Sequence, residues 1–153
     1  MLRPAEPADA GAIAAIHLTA RRDATPWLPV LHDAADVRDW MASAVLPHAT
    51  VWIAEVAGRP QGFMVLAGDM LEQLYVAPEH QGRGLGSRLL DKAKALAPGG
   101  LRLYVFQRNR AARAFYEARG FVAVAFTDGA DNEEREPDVL YAWSPSRAPA
   151  SSA

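Results

Sequence analysis

The chain has 153 residues, 50% of them hydrophobic, which suffices for one buried core and is too short for two full-sized domains. Lys and Arg number 16 against 18 Asp and Glu, so no global basic excess points to nucleic acid or an anionic membrane, and anion binding falls to local clusters. With no cysteine, there is no disulfide, no thiolate zinc site and no cysteine nucleophile.

In chain order, Leu2-Arg3-Pro4 predicts a short edge strand, because Pro4 has no N–H to give a ladder. Asp9 is placed as the N-cap of a first helix, in which Ile13, Ile16, Leu18 and Ala20 recur at roughly helical spacing up to Arg21 and Arg22. Pro26 and Pro29 make residues 23–32 a loop, with Trp27 and Leu28 conspicuous in it. Asp33 or Asp36 starts a second helix, with Val37, Trp40, Met41, Ala44 and Val45 on one stripe until Pro47.

From Thr50 the apolar period becomes that of strands: Val51 to Val56, a turn at Ala57 to Pro60, a hairpin partner from Gln61 to Leu66, and a third strand from Met70 to Val76. A helix from Leu85 to about Ala97 is stopped by Pro98-Gly99-Gly100, and Leu101 to Phe106 is again a strand. Asn109 opens another helix that ends at Gly120, and Phe121 to Phe126 follows as a strand. An acidic loop, Thr127 to Asp138, leads into a last strand, Val139 to Trp143. Residues 144–153 have nothing to bury and are expected to form a flexible tail. The order predicts a mixed α/β layer fold in one domain, residues 1–143.

No apolar run reaches the length of a membrane span, and the first residues lack the layout of a secretory signal, so a cytoplasmic protein without a membrane partner is expected. The four histidines, at 17, 32, 48 and 80, contain no i, i+4 pair, and no metal site is expected.

Gln81 to Leu90, QGRGLGSRLL, carries glycines at 82, 84 and 86 just where a helix begins. A helix N-terminus presents unpaired amides and the positive end of its dipole, and bare glycines let a phosphate reach them. Arg83 and Arg88 can add charge. The same residues also suit a tight strand-to-helix turn with no ligand. GxGxxG is not met and no GKS or GKT follows, so dinucleotide and P-loop readings fall behind.

Taken with NRAARAFYEARGF after it, LYVAPEHQGRGLGSRLL resembles the GNAT superfamily of N-acetyltransferases. Gln81, Gly84 and Gly86 match its (Q/R)xxGx(G/A) motif, and Asn109, Ala112, Phe115, Tyr116, Gly120 and Phe121 match NxxAxxFYxxxGF. The resemblance implies a central, mostly antiparallel mixed sheet of six to seven strands with helices on both faces. A V-shaped splay is implied between strands four and five, Met70 to Val76 and Leu101 to Phe106.

It further implies acetyl-CoA as cosubstrate, without metal, and transfer of the acetyl group by direct attack of a primary amine in a ternary complex. The main chain of Leu74, Tyr75 and Val76 would hold the pantetheine arm, with the Val76 N–H facing the thioester oxygen. The amides of Gly82, Arg83, Gly84, Leu85, Gly86 and Ser87 would hold the pyrophosphate, with Gln81 at the loop entrance. Asn109, Ala112, Arg113 and Tyr116 would border the cofactor, with Arg110 and Arg113 toward its phosphate and adenine end.

Tyr116 takes the general-acid position. Glu72, read as sharing a strand face with Leu74 and Val76, is the candidate base or an anchor for the amine. Acceptor residues would be Trp27, Leu28 and His32 with the acidic loop, which suits a cationic amine of a small molecule or peptide. A catalytically inactive CoA-binding module is the other reading. A homodimer is possible in this fold, with Trp52 or Trp143 as surface markers.

Overall fold

The structure, a computed structural model, describes residues 1–145. The expected tail at 144–153 therefore lies almost wholly outside the described residues.

Strand β1, Leu2–Pro4, borders β2, Thr50–Val56, and β2 forms a hairpin with β3, Arg59–Ala67. The turn between them is two residues long rather than four: Ala57 and Gly58 take φ of 53° and 77°, and Arg59 and Pro60 already pair with β2. Positive φ at both turn residues matches the twist of the flanking strands. Strand β4, Met70–Val76, continues the antiparallel meander. Strand β5, Leu101–Phe106, runs parallel to β4, and β7, Asp138–Trp143, inserts between β5 and the edge strand β6, Val122–Phe126. The order is β1-β2-β3-β4-β5-β7-β6.

Helices cover both faces, which is why the β3 run Phe63-Met64-Val65-Leu66 is apolar without alternation. Phe63 and Val65 pack with Ile13 and Ile16 of α1, Ala10–Ala24, and with Val37 of α2, Ala34–Trp40. Met64 and Leu66 pack on the other side with Leu89 and Leu90 of α3, Leu85–Leu96, and with Tyr116 of α4, Arg110–Glu117.

Both helix starts fall where expected. Asp9 is the N-cap residue of α1 but makes no side-chain cap bond to it: its backbone is already helical, within a 3₁₀ turn over Pro7–Asp9, and its carboxylate points back to accept the Glu6 N–H at 2.7 Å. Arg3 holds that carboxylate at 2.8 and 2.9 Å and pulls its pKa below the usual range. For α2 the start is Asp33, whose Oδ1 accepts the Asp36 N–H at 2.8 Å. That helix continues into one π-helical turn, Met41–Val45.

β4 carries a bulge that the sequence does not announce. Val65 pairs with Gln73 but Leu66 pairs with Leu71, so Glu72 is the extra residue. The expectation that Glu72 shares a face with Leu74 and Val76 is therefore corrected. Period-2 counting fails across an inserted residue, and Glu72 joins Gln73 and Tyr75 on the cleft side, while Leu74 and Val76 pack with the α3 core.

Candidate active site

Strands β4 and β5 meet at one register pair, Met70 with Arg102, tied by the Arg102 N–H to the Asp69 carbonyl at 2.8 Å. Beyond it they part. The Ala77 N–H bonds the Gln61 carbonyl at 2.7 Å, so by antiparallel alternation Tyr75 and Gln73 spend their backbone groups on β3. The groups of Leu74 and Val76 consequently point into the gap. The Val76 carbonyl accepts from Gln81 Nε2 at 3.0 Å, which clasps the end of β4 to the glycine loop and leaves the Val76 N–H facing the opening.

In that loop Gly82 and Gly84 have φ of 77° and 82°, and a Cβ built on either meets nothing within 4 Å. Glycine is needed there for backbone conformation, and the space beside it is open. Gly84 is the N-cap of α3, whose first intrahelical bond runs from the Arg88 N–H to the Gly84 carbonyl at 3.0 Å. The amides of Leu85, Gly86 and Ser87 therefore lack intrahelical partners and sit at the positive end of the dipole. Leu85 itself is buried, while Arg83 and Arg88 are exposed. These free amides and the open flank fit a diphosphate, and the parted strands beside them fit an extended pantetheine-like arm.

Asn109 caps α4, its side-chain oxygen accepting the Ala112 N–H at 3.2 Å. One turn on, Phe115 and Tyr116 pack edge to face at 5.1 Å, and Tyr116 meets Phe121 at 5.4 Å. Tyr116 is 9% exposed and its hydroxyl makes no hydrogen bond among the described residues. Burial, and secondarily the charge that Tyr75 would carry, raise its pKa well above the usual phenol range. It stays protonated at any physiological pH.

On the α1 side of β4 the gap widens into a cleft of about 710 Å³. Its walls include His17, Arg21, Glu72, Gln73, Tyr75 and Tyr104, with His32, Asp36 and residues of the 127–138 loop at the rim. Six carboxylate side chains, of Asp36, Glu72, Asp131, Glu133, Glu134 and Asp138, outnumber the one arginine. The loop is held by Asn132, which bonds the Glu136 carbonyl at 2.6 Å and Asp138 at 3.2 Å. Gly129 sits in it at φ 82°, where a Cβ would lie 2.4 Å from the Glu136 carbonyl carbon. Arg21 pairs with Glu134 and His32 with Glu133, joining the proline loop and α1 to the acidic loop over the cleft.

Of the residues expected at the acceptor, His32 lines this cleft; Trp27 and Leu28 do not. Trp27 lies edge-on to Phe106 at 6.0 Å under the Arg108 guanidinium at 4.0 Å, and so fastens the proline loop to the end of β5. Leu28 is buried, lining a smaller apolar recess behind the cleft. Arg113 turns away from the expected phosphate end, donating to Tyr141 Oη at 3.0 Å and to the Gln107 carbonyl at 3.3 Å. Trp52 and Trp143 are both half-buried, stacked under Lys92 at 4.0 Å and Lys94 at 4.9 Å.

Four residues of the site carried no site role in the sequence reading. Arg119 stacks on Phe115 at 3.8 Å and donates to Ser87 Oγ at 2.8 and 3.1 Å, which sets a cation at the first turn of α3; its i, i+4 spacing from Phe115 was the available signal. His17, Gln73 and Arg21 converge only in space. The buried His17 puts Nδ1 3.0 Å from Gln73 Oε1 and meets the Tyr75 ring edge-on at 5.1 Å. Among the described residues no group of three or more His, Asp or Glu is placed to hold a metal, and no helix is long and apolar enough to cross a membrane.

A mixed sheet whose one parallel pair opens beside a bare helix N-terminus, with a buried phenol and an acidic cleft at the gap, defines an acyl-CoA-binding transferase architecture. Residues 47–123 match the family model of the acetyltransferase (GNAT) domain. The chain is 38% identical over 82 residues to peptidyl-lysine N-acetyltransferase YjaB of Salmonella typhimurium, covering 53% of this chain and 56% of that protein. To peptidyl-lysine N-acetyltransferase YiaC of Escherichia coli it is 34% identical over 103 residues, 65% of this chain and 67% of that one. The solution structure of apo YjaB from E. coli superposes with a TM-score of 0.78 at 26% identity, over 94% of this chain and 96% of that one. The sequence matches to YjaB thus span about half the length of those relatives. The chain belongs to the GNAT acetyltransferase family.

Proposed function

We propose that the protein is an N-acetyltransferase that moves an acetyl group from acetyl-CoA to a cationic primary amine, with the lysine ε-amine of a peptide as the leading acceptor. The observation that carries this reading is the gap between β4 and β5, which has free amides of the α3 N-terminus at one end and a carboxylate-lined cleft at the other. The activity for which YjaB and YiaC are named, peptidyl-lysine N-acetylation, supports the choice of acceptor.

Acetyl-CoA, when bound, supplies the acyl group as a thioester. The amides of Gly82 to Ser87 hold the diphosphate, with Gln81 clasping the loop and Arg119 adding positive charge from the side. Leu74 and Val76 offer their gap-facing backbone groups to an extended arm, along the β4 segment that includes Tyr75, and α4 borders it from Asn109 and Ala112. The Val76 N–H is a preorganised donor for the carbonyl oxygen as negative charge develops on it. Tyr116 donates its proton to the departing sulfur. Glu72, on the bulge, receives the ammonium at the cleft wall.

Thiol release from acetyl-CoA should be followed over lysine peptides, a peptide with only its N-terminal amine, a polyamine and an aminoglycoside. Turnover is expected, highest with a lysine peptide. Binding of acetyl-CoA by calorimetry with no acetylation of any amine would overturn the reading in favour of an inactive CoA-binding module.

A further inference from the structure

We propose that His17 is the group that removes the proton from the attacking amine; the proposal rests on the transferase reading above. An amine held among carboxylates arrives as ammonium, whose nitrogen has no lone pair with which to attack. Glu72 is an exposed carboxylate at the rim side of the bulge, suited to attract that cation. His17, 8% exposed in α1, lies deeper in the same cleft.

Three observations equip it. The first is geometry: Gln73 Oε1 can only accept, so the contact at 3.0 Å places the proton on Nδ1 and leaves the lone pair on Nε2, which has no hydrogen-bond partner among the described residues. Gln73 faces that side because it alternates regularly with Tyr75 and pairs with Val65, and the bulge beyond it brings Glu72 to the same side. The second is position. The Tyr75 ring touches His17 edge-on at 5.1 Å, and the charge that Tyr75 would carry helps to raise the Tyr116 pKa. The proposed proton acceptor and proton donor therefore flank Tyr75 where the strands part.

The third is the protonation state. Burial lowers the His17 pKa below its ordinary 6.5, so the imidazole is neutral at pH 7. The titratable groups that line the cleft with it are Arg21 from its own helix, Asp36 from α2, His32 from the proline loop, Glu72 and Tyr75 from β4, Tyr104 from β5, Asp131, Glu133 and Glu134 from the acidic loop, and Asp138 at the start of β7. Arg21 opposes the imidazolium and Glu134 favours it; because the two are paired with each other, their effects partly cancel.

The protons balance as follows. An ammonium N–H bond breaks and an Nε2–H bond forms on His17. The freed nitrogen pair forms the N–C bond, the C–S bond breaks, and the sulfur leaves with its pair and takes the Tyr116 proton. The second proton lost by nitrogen restores Tyr116, and His17 returns its own to solvent, so one proton is released per amide formed.

The test is the pH profile of kcat/KM with a lysine peptide, alongside an NMR titration of the His17 ring in the free protein. Wild type should lose activity on the acid side through a pKa below 6.5, matching the ring titration. His17→Gln should lower the rate on the order of 100-fold and remove that acid limb, with acetyl-CoA affinity retained. Gln73→Glu should move both the limb and the ring titration upward, because a carboxylate favours the imidazolium; with a mere packing role for His17 the ring titration would move and the kinetic limb would stay where it was. An acid limb and near-normal rate that survive in His17→Gln, or a limb that vanishes in Glu72→Gln instead, would overturn the assignment. Wild type with no turnover on any amine would sink the transferase reading and this one with it.

Discussion

In the proposed reaction Tyr116 has to stay protonated until a thiolate forms beside it, and burial with no hydrogen-bond partner for its hydroxyl among the described residues favours that. Its edge-to-face contacts with Phe115 and Phe121 hold the ring without using the hydroxyl. Tyr116→Phe keeps those contacts and removes only the acid. Turnover is expected to fall on the order of 100-fold while acetyl-CoA binding, measured by calorimetry, stays within about twofold. Unchanged turnover would take Tyr116 out of the mechanism. At this scale the motif located Asn109, which caps α4, and Tyr116, a buried phenol. It was silent on what His17 faces, because a lone histidine on an amphipathic helix carries no mark of its surroundings. Trp27, a large aromatic in a proline loop, resembles a binding wall in sequence, and in the fold its ring contacts Phe106 and Arg108 outside the lining of the cleft.

At the scale of elements, α3 is the part most legible in advance. Its 12 residues would be marginal as an isolated helix, and burial of Leu85, Leu89, Leu90 and Ala93 stabilises it in place. Its start is set by Gly84 in the left-handed region, with open space where a side chain would go. Gly84→Ala should cost about 1–2 kcal/mol of backbone strain and put a methyl group beside the free amides. Acetyl-CoA affinity is expected to drop about tenfold or more, with only a modest loss of Tm, by calorimetry and thermal melting. Undiminished affinity would mean that the diphosphate lies elsewhere. The bulge in β4 is the opposite case: alternation predicted a regular strand, and nothing in MLEQLYV distinguishes Glu72 as an inserted residue. Its place is dictated by pairing with β3 on one side and the absence of β5 on the other.

For the whole molecule, the acidic cleft exists because segments more than 100 residues apart meet: Arg21 with Glu134 and His32 with Glu133. Those pairs leave a net negative cleft, so cation recognition should have a screened electrostatic component. Asp131→Asn combined with Glu133→Gln removes two rim charges worth about 0.5 kcal/mol each, and KM for a lysine peptide should rise roughly fivefold with kcat little changed. The difference from wild type should shrink at high salt in steady-state kinetics. Equal KM values at low salt would show that the rim carboxylates do not select the amine.

The order of elements, the glycine-opened helix and the phenol on α4 were determined by local sequence, because caps, turns and hydrophobic periodicity act over a few residues. The direction Glu72 faces, the partner that orients His17 and the sign of the field in the cleft were decided only by tertiary structure. Each depends on contacts between strands, helices and loops that are remote in the chain, and no local pattern encodes such distances.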